Sequence, residues 1–157
     1  MVRGLQQEIK QTKPFASLEE EAFLNLLRTT DALARREAEL LKAYGLSPSQ
    51  YNALRILRGA GAEGVTCGEM SERMLTKDPD VTRLIDRLDS RNLIQRSRSD
   101  QDRRVVRTTI TQPGLDLLAQ IDAPMRQVCA SLLGHFTREQ LRDFIALLEL
   151  ARSRTEP

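Results

Sequence analysis

The residues from which catalytic and metal centres are usually assembled are scarce in this chain. Histidine occurs once, at His135, and cysteine twice, at Cys67 and Cys129. One imidazole cannot build a His-rich metal site, and two distant thiols are too few for a disulfide framework or a thiolate cage. A Gly-rich phosphate cradle is missing too, since Gly59-Ala60-Gly61-Ala62-Glu63-Gly64 reads as a helix-breaking linker. The acidic residues fall mostly at expected helix caps and helix surfaces, and His135 is not near a plausible nucleophile in sequence. An enzyme is therefore not indicated, and no cofactor is expected. Tryptophan is absent, and the aromatics are two Tyr and four Phe. No apolar run approaches the ~20 residues that cross a bilayer. The opening MVRGLQQEIKQTK is polar and lacks the apolar stretch of a secretory signal, which predicts a cytoplasmic protein.

What is present is a globular composition, 40% hydrophobic and 29% charged, over 157 residues. That length fits one domain of about 100 to 150 residues, or a smaller one plus an assembly region. The formal charge of +2 does not by itself suggest nucleic acid, but its distribution does. Between Arg91 and Arg107 stand six arginines (91, 96, 98, 103, 104, 107) against Asp100 and Asp102, a local balance of +4. Arginine without lysine suits forked hydrogen bonding to phosphates and guanine edges. In isolation a solvated charged hairpin accounts for the cluster equally well.

Residues 1–16 carry no sustained periodicity and are expected to form a tail that orders only against a partner chain. Ser17-Leu18-Glu19-Glu20 has the form of a capping box, and Phe23, Leu26, Leu27, Thr30, Leu33, Ala34, Leu40 and Leu41 share one face of a long helix ending near Tyr44-Gly45. Ser47-Pro48-Ser49-Gln50 starts a second helix, running to about Arg58. Thr66-Cys67-Gly68-Glu69 opens a third of about two turns, on which Cys67 shares the apolar face of Met70 and Met74 and reads as a small core residue. Asp78-Pro79-Asp80 offers an N-cap, a first-turn proline and an acid at the positive end of a fourth, reaching about Arg91. Leu93 to Arg98 and Arg104 to Ile110 are expected strands, turning at Ser99-Asp100-Gln101-Asp102. A further helix begins at Thr111-Gln112-Pro113-Gly114, with Pro124 as a site for a bend and Cys129 in its apolar face. Thr137-Arg138-Glu139-Gln140 caps the last, whose apolar face is Leu141, Phe144, Ile145, Leu148 and Ala151.

Two short helices, a tight connection and a hairpin make a winged helix-turn-helix if the second helix offers a polar face to a major groove. At about 100° per residue, Val81, Leu84, Ile85 and Leu88 fall on one side, while Pro79, Arg83, Asp86 and Ser90 point away. Val81-Thr82-Arg83-Leu84-Ile85-Asp86-Arg87-Leu88 is followed by Asn92-Leu93-Ile94-Gln95-Arg96. Further on come Asp102-Arg103-Arg104, five residues, then Ile110-Thr111 and Gly114. In this order and spacing the chain resembles the MarR (multiple antibiotic resistance regulator) family over about residues 18–151. The first stretch looks like the recognition helix and its exit. The second is similar to the D-x-R-x5-L-T-x-x-G wing signature, with Ile for Leu. Asn92 stands where the family commonly has Gly, and Thr108 where it often has Val.

The resemblance implies a mainly α fold with a small β-hairpin wing, a winged helix-turn-helix with N- and C-terminal dimerisation helices. The expected units are a tail and dimerisation helix over 1–45, the DNA-binding domain over 46–111, and dimerisation helices over 112–157. The partners implied are a second copy, in a homodimer, and double-stranded DNA with a pseudo-palindromic site. The wide apolar faces outside 46–111 independently demand cover. On the helix, Arg83 is the candidate for base-edge contact, with Thr82 and Asp80 beside it. Thr76, Lys77 and Arg87 suit phosphates, which fix register without reading sequence. By the resemblance Arg104 enters the minor groove and Asp102 orients it, leaving Arg103 and Arg98 for the backbone. The resemblance also implies a repressor released by a small effector, an aromatic or phenolic acid, bound in the crevice between the winged domain and the dimer helices, at the hinge of the first, second and fifth helices, where its ring would stack on Tyr44, Tyr51, Phe23 or aliphatic walls. Two alternatives stand beside this: a winged-helix module that binds protein, and a thiol-based redox sensor acting through Cys67. Arginines clustered at the wing tip weigh against the first, since an assembly module has no need of them.

Overall fold

Hydroxyl side chains start most of the helices. In the computed structural model, which describes residues 4–78, 80–98 and 104–154, α1 spans Leu5–Glu8, α2 Leu18–Lys42, α3 Pro48–Ala60, α4 Cys67–Arg73 and α5 Val81–Asp89. The antiparallel strands β1 (Ile94–Arg98) and β2 (Val106–Ile110) follow, then α6 (Gln112–Leu133) and α7 (Arg138–Arg152). Ser47 with Gln50, Thr66 with Glu69, and Thr137 with Gln140 close reciprocal capping boxes on α3, α4 and α7. Each cap is worth ~1 kcal/mol by satisfying amides that would otherwise lack partners. Ser17 caps α2, but the Glu20 carboxylate accepts from the Ala16 amide at 2.6 Å, one residue earlier than a closed box requires.

Three expectations are corrected by the fold. The segment before Ser17 orders against its own chain: α1 packs Leu5 to 5% exposure, and Glu8 lies 3.9 Å from Arg28 of α2. A single leucine in a single turn is too short for periodicity to register. The cap of α5 is Asp80, whose Oδ1 accepts from the Arg83 amide at 2.9 Å, while Asp78 accepts from the Asp80 amide; Pro79 lies outside the described residues. Both cysteines are exposed. As the first residue of α4, Cys67 swings towards α5, with Sγ 3.7 Å from Thr82 Oγ1, while Met70 and Met74 turn beneath the helix. Cys129 lines an open cavity instead of packed core.

The core is built from Leu54 and Leu57 of α3, Met70 of α4, Leu88 of α5, Ile94 of β1 and Val65, all essentially inaccessible. Leu41 at the end of α2 and Leu118 and Ile121 of α6 close it from the other side. Arg58 of α3 and Asp122 of α6 fasten that closure with two forked bonds of 2.8 and 3.1 Å. The hydrogen bond from Arg58, set against the cost of burial, holds the Asp122 carboxyl below the usual aspartate range. Gly64 (φ +62) brings Val65 against the hairpin, where it exchanges backbone bonds of 2.9 and 2.8 Å with Thr108. A Cβ on Gly64 would sit 2.5 Å from the Thr108 carbonyl oxygen. By contrast, α7 buries no residue, and large apolar side chains stay open on α2 (Leu18, Phe23, Leu27) and α7 (Ile145, Leu147, Leu150). Among the described residues, no helix is long and apolar enough to cross a membrane.

Candidate nucleic-acid interface

Helix α5 is seated by its apolar stripe: Val81, Leu84, Ile85 and Leu88 are all buried, at 8% exposure or less. Thr82, Arg83, Asp86, Arg87 and Ser90 consequently face outward. Among the described residues, neither Arg83 nor Arg87 has an acidic partner, so both guanidinium groups are presented on a helix whose own position is set by packing. Asp80 is committed differently from Thr82 and Arg83. Its carboxylate caps the helix, which places an anion at the positive end of the dipole. Thr76 and Lys77 are exposed in the turn before α5, and Asn52 Oδ1 of α3 anchors that turn by accepting from the Leu75 amide at 2.8 Å.

The hairpin stands beside this face. Its register runs from Ile94 opposite Ile110 to Arg98 opposite Val106 at the tip end, where Arg98 and Arg104 are exposed. Asp102 and Arg103 lie outside the described residues. Of the six arginines that make this segment basic, three serve the frame. Arg91 donates to the carbonyls of Gly45 (2.6 Å) and Tyr44 (3.4 Å). Arg107 donates to the Gly64 carbonyl at 3.2 Å and lies 3.6 Å from Glu69. Arg96 pairs with Asp86 and Asp89 of α5. These tertiary partners are 7 to 47 residues away along the chain and on other elements, so no helical or strand spacing announces them.

The end of the wing signature has a mechanical reason. Thr111 Oγ1 donates to the Asn92 carbonyl at 2.7 Å and accepts from the Gly114 amide at 3.3 Å, while the Thr111 amide donates to the Leu93 carbonyl at 3.1 Å. Gly114 packs so closely that a Cβ there would lie 2.3 Å from the Leu93 oxygen. Asn92 itself adopts φ +55, a left-handed conformation that asparagine tolerates better than most residues. It therefore fills the role of a glycine at the exit of α5 without disturbing β1.

The hinge at which the resemblance implies an effector crevice holds an open space. A cavity of about 430 Å³ opens between α2, α3 and α6, with Leu33 and Ala34, Tyr51 and Arg55, and Met125 and Leu132 among its walls. It also reaches Leu75 and Thr76 before α5. Of the rings considered for stacking, Tyr51 lines it, with the Arg55 guanidinium 5.7 Å from the ring centre. Burial raises the Tyr51 phenol above its ordinary pKa, and the nearby Arg55 charge opposes that rise.

A sequence profile of the MarR family matches residues 46–106. A crystal structure of a MarR transcription factor from Planctomyces limnophilus is 42% identical, covering 87% of this chain and 99% of that one, with a TM-score of 0.67. The chain belongs to the MarR family. The HTH-type transcriptional repressor MdtR of Bacillus subtilis (strain 168) is 32% identical over 103 residues, 66% of this chain and 65% of that protein, so this match spans just under two thirds of the relative. The crystal structure of the organohalide-sensing regulator RdhR-CbdbA1625 with 2,4-dichlorophenol bound is 19% identical, covers 92% of this chain and 88% of that one, and has a TM-score of 0.79, which marks a shared fold. In this MarR protein, then, α3, α4, α5 and the β1–β2 hairpin form the winged helix-turn-helix fold.

Proposed function

We propose that this MarR protein is a cytoplasmic homodimeric repressor that reads a pseudo-palindromic site in double-stranded DNA and is released by a small aromatic or phenolic acid. The observation that carries the DNA reading is the outward face of α5, where, among the described residues, Arg83 and Arg87 stand without acidic partners on a helix seated by its buried stripe, beside an arginine-bearing wing. Arg83, with Thr82, reads base edges, while Asp80 braces the helix start. Thr76, Lys77 and Arg87 hold phosphates. Arg104 enters the minor groove, oriented by Asp102, and Arg98 and Arg103 meet the backbone. The open apolar faces of α2 and α7 support pairing of two copies through 1–45 and 112–157, which leaves 46–111 as the reading unit.

The effector reading rests on the cavity beside Arg55. A mostly apolar space suits a ring, and the Arg55 guanidinium at its wall, which it shares with Glu37, can meet an acid group; RdhR-CbdbA1625 binds a chlorinated phenol. A ligand wedged between α2, α3 and α6 need only favour another spacing of the two recognition helices. A coupling of 5- to 150-fold, about 1–3 kcal/mol, suffices.

The test begins with an operator selected from random duplexes. Arg83→Ala should lose ~1–3 kcal/mol and relax preference at one base pair per half-site. Arg104→Ala should weaken many sequences together and flatten the salt slope by about one unit per lost phosphate interaction. Equal, sequence-independent losses from both would remove Arg83 from base readout. A second reading rests on Cys67, exposed 3.7 Å from Thr82 on the reading face, where an added group would meet DNA. Release by peroxide that vanishes in C67S/C129S, with no response to any phenolic acid, would favour it.

A further inference from the structure

Strand β1 buries only Ile94, so its outer four residues have no apolar hold on the helix beside them. An isolated two-stranded hairpin is marginal in water, and a wing needs other attachments to keep one pose. On the β2 side these are the Val65–Thr108 bridge and the contacts of Arg107 with Glu69 and the Gly64 carbonyl. They secure the root of the hairpin to the segment around α4 and do not reach α5. On the β1 side, among the described residues, the side-chain attachment is Arg96. Its guanidinium forms a hydrogen-bonded ion pair with Asp86, and its Nε lies 3.4 Å from Asp89 Oδ2. Asp86 and Asp89 are three residues apart on α5, so they share one face and meet neighbouring nitrogens, Nη2 and Nε, of the same planar group.

The geometry points to Arg96 as a positioning residue that sets the height and tilt of the wing against the recognition helix. With the wing so held, Arg83 in one groove and Arg104 in the next engage DNA together. This rests on the DNA reading proposed above. A rival account by charge alone, in which Arg96 merely masks two carboxylates from phosphates, makes opposite predictions. Arg96→Met lowers the net charge by one, whereas Asp86→Asn with Asp89→Asn raises it by two. Positioning is broken by either change, and masking is broken only by the first.

The experiment measures binding of the full-length protein to its selected operator for Arg96→Met, Asp86→Asn/Asp89→Asn and Arg104→Ala, alone and combined, with thermal melts alongside. Arg96→Met and the double asparagine variant should each lose about tenfold, within the range found for residues of one ion-pair network. Adding Arg104→Ala to either should cost little more, because a wing without its hold no longer delivers Arg104. The base preference set by Arg83 should persist while wing-side protection in a hydroxyl-radical footprint disappears. Arg96→Lys, with one point charge for two carboxylates, should recover binding in part. If Arg96→Met fails to fold, the double asparagine variant carries the same comparison. The inference is overturned if the losses multiply, or if the asparagine variant binds as tightly as wild type. An Arg104→Ala variant with unchanged binding would sink the wing's role in the DNA reading and this inference with it. A weakened Arg104→Ala whose loss simply multiplies with that of Arg96→Met would sink only this inference.

Discussion

Replacing Gly114 by alanine should unseat the joint where the exit of α5, the end of β2 and the start of α6 meet. The added Cβ would lie 2.3 Å from the Leu93 carbonyl oxygen and 2.7 Å from Ile110 Cγ1. An ordinary carbon–oxygen approach is about 3.3 Å, so something must withdraw by about 1 Å. The oxygen cannot retreat freely, because it accepts from the Thr111 amide at 3.1 Å, and Ile110 is held opposite Ile94 in the hairpin. Overpacking of this kind costs ~1–3 kcal/mol, and loosening a hydrogen bond adds ~1 kcal/mol. The intrinsic gain of alanine over glycine in a helix returns up to ~1 kcal/mol. The net expectation is a loss of about 1–3 kcal/mol. Denaturant unfolding at fixed protein concentration measures it, with Gly59→Ala and Gly68→Ala as controls. Gly59 has nothing within 4 Å of its would-be Cβ, and Gly68 only Thr66 Oγ1 at 4.0 Å, so both should be neutral or stabilising by up to ~1 kcal/mol. A Gly114→Ala protein as stable as wild type, or a shift of the same sign at all three glycines, would refute the reasoning.

Asp122→Asn should destabilise by about 1 kcal/mol at neutral pH, as expected for a half-exposed forked pair with Arg58. Because the folded carboxyl lies below its usual range, this stabilisation is present above the ordinary aspartate pKa and is lost as pH falls through the lowered folded value. The stability curves of wild type and Asp122→Asn should therefore converge in acid, and a constant gap would contradict the pairing. Arg55→Ala should weaken salicylate binding about tenfold by calorimetry while leaving ligand-free operator binding unchanged, and an unaltered affinity would take the cation out of the effector site. Leu147→Glu, on the open face of α7, should yield monomers by sedimentation and lower operator affinity, since burying the carboxylate would cost several kcal/mol; a stable dimer would move the interface elsewhere. A thiol reagent should label Cys67 and Cys129 without denaturant, and protection of Cys67 in the free protein would contradict its exposure.

The parts of this fold that could be read in advance are those whose physics is local. Capping boxes at Ser47, Thr66 and Thr137 declare themselves within four residues, and the stripe from Val81 to Leu88 within two turns. The hairpin and the outward turn of Arg83 follow from the same short-range patterns, and the resemblance placed them in a family. What escaped is what the third dimension decides. The periodicity that put Cys67 with Met70 and Met74 could not show that the first residue of a helix splays away from the face below it. Nor could composition single out the arginines of the frame, at 91, 96 and 107, because the partners that claim them come from other elements. The hinge of α2, α3 and α6 was expected to take an effector, but which ring lines it, Tyr51 among the three candidates, and which charges stand beside it are set by a space between three helices that no one of them encodes.

Helix α7 has a consequence for how the protein is governed in a cell. It is 15 residues long and buries none of them within one protomer. A helix of that length is marginal in water, even with its capping box, unless something packs against it. Where the cover is a second copy, folding of this end of the chain and assembly are one event, and stability becomes a function of abundance. At low expression the amount of competent regulator then falls roughly as the square of the amount of chain, so halving synthesis removes about three quarters of it. Such a protein carries a built-in threshold: dilution by growth or a modest rise in proteolysis would silence it steeply, with no effector present at all.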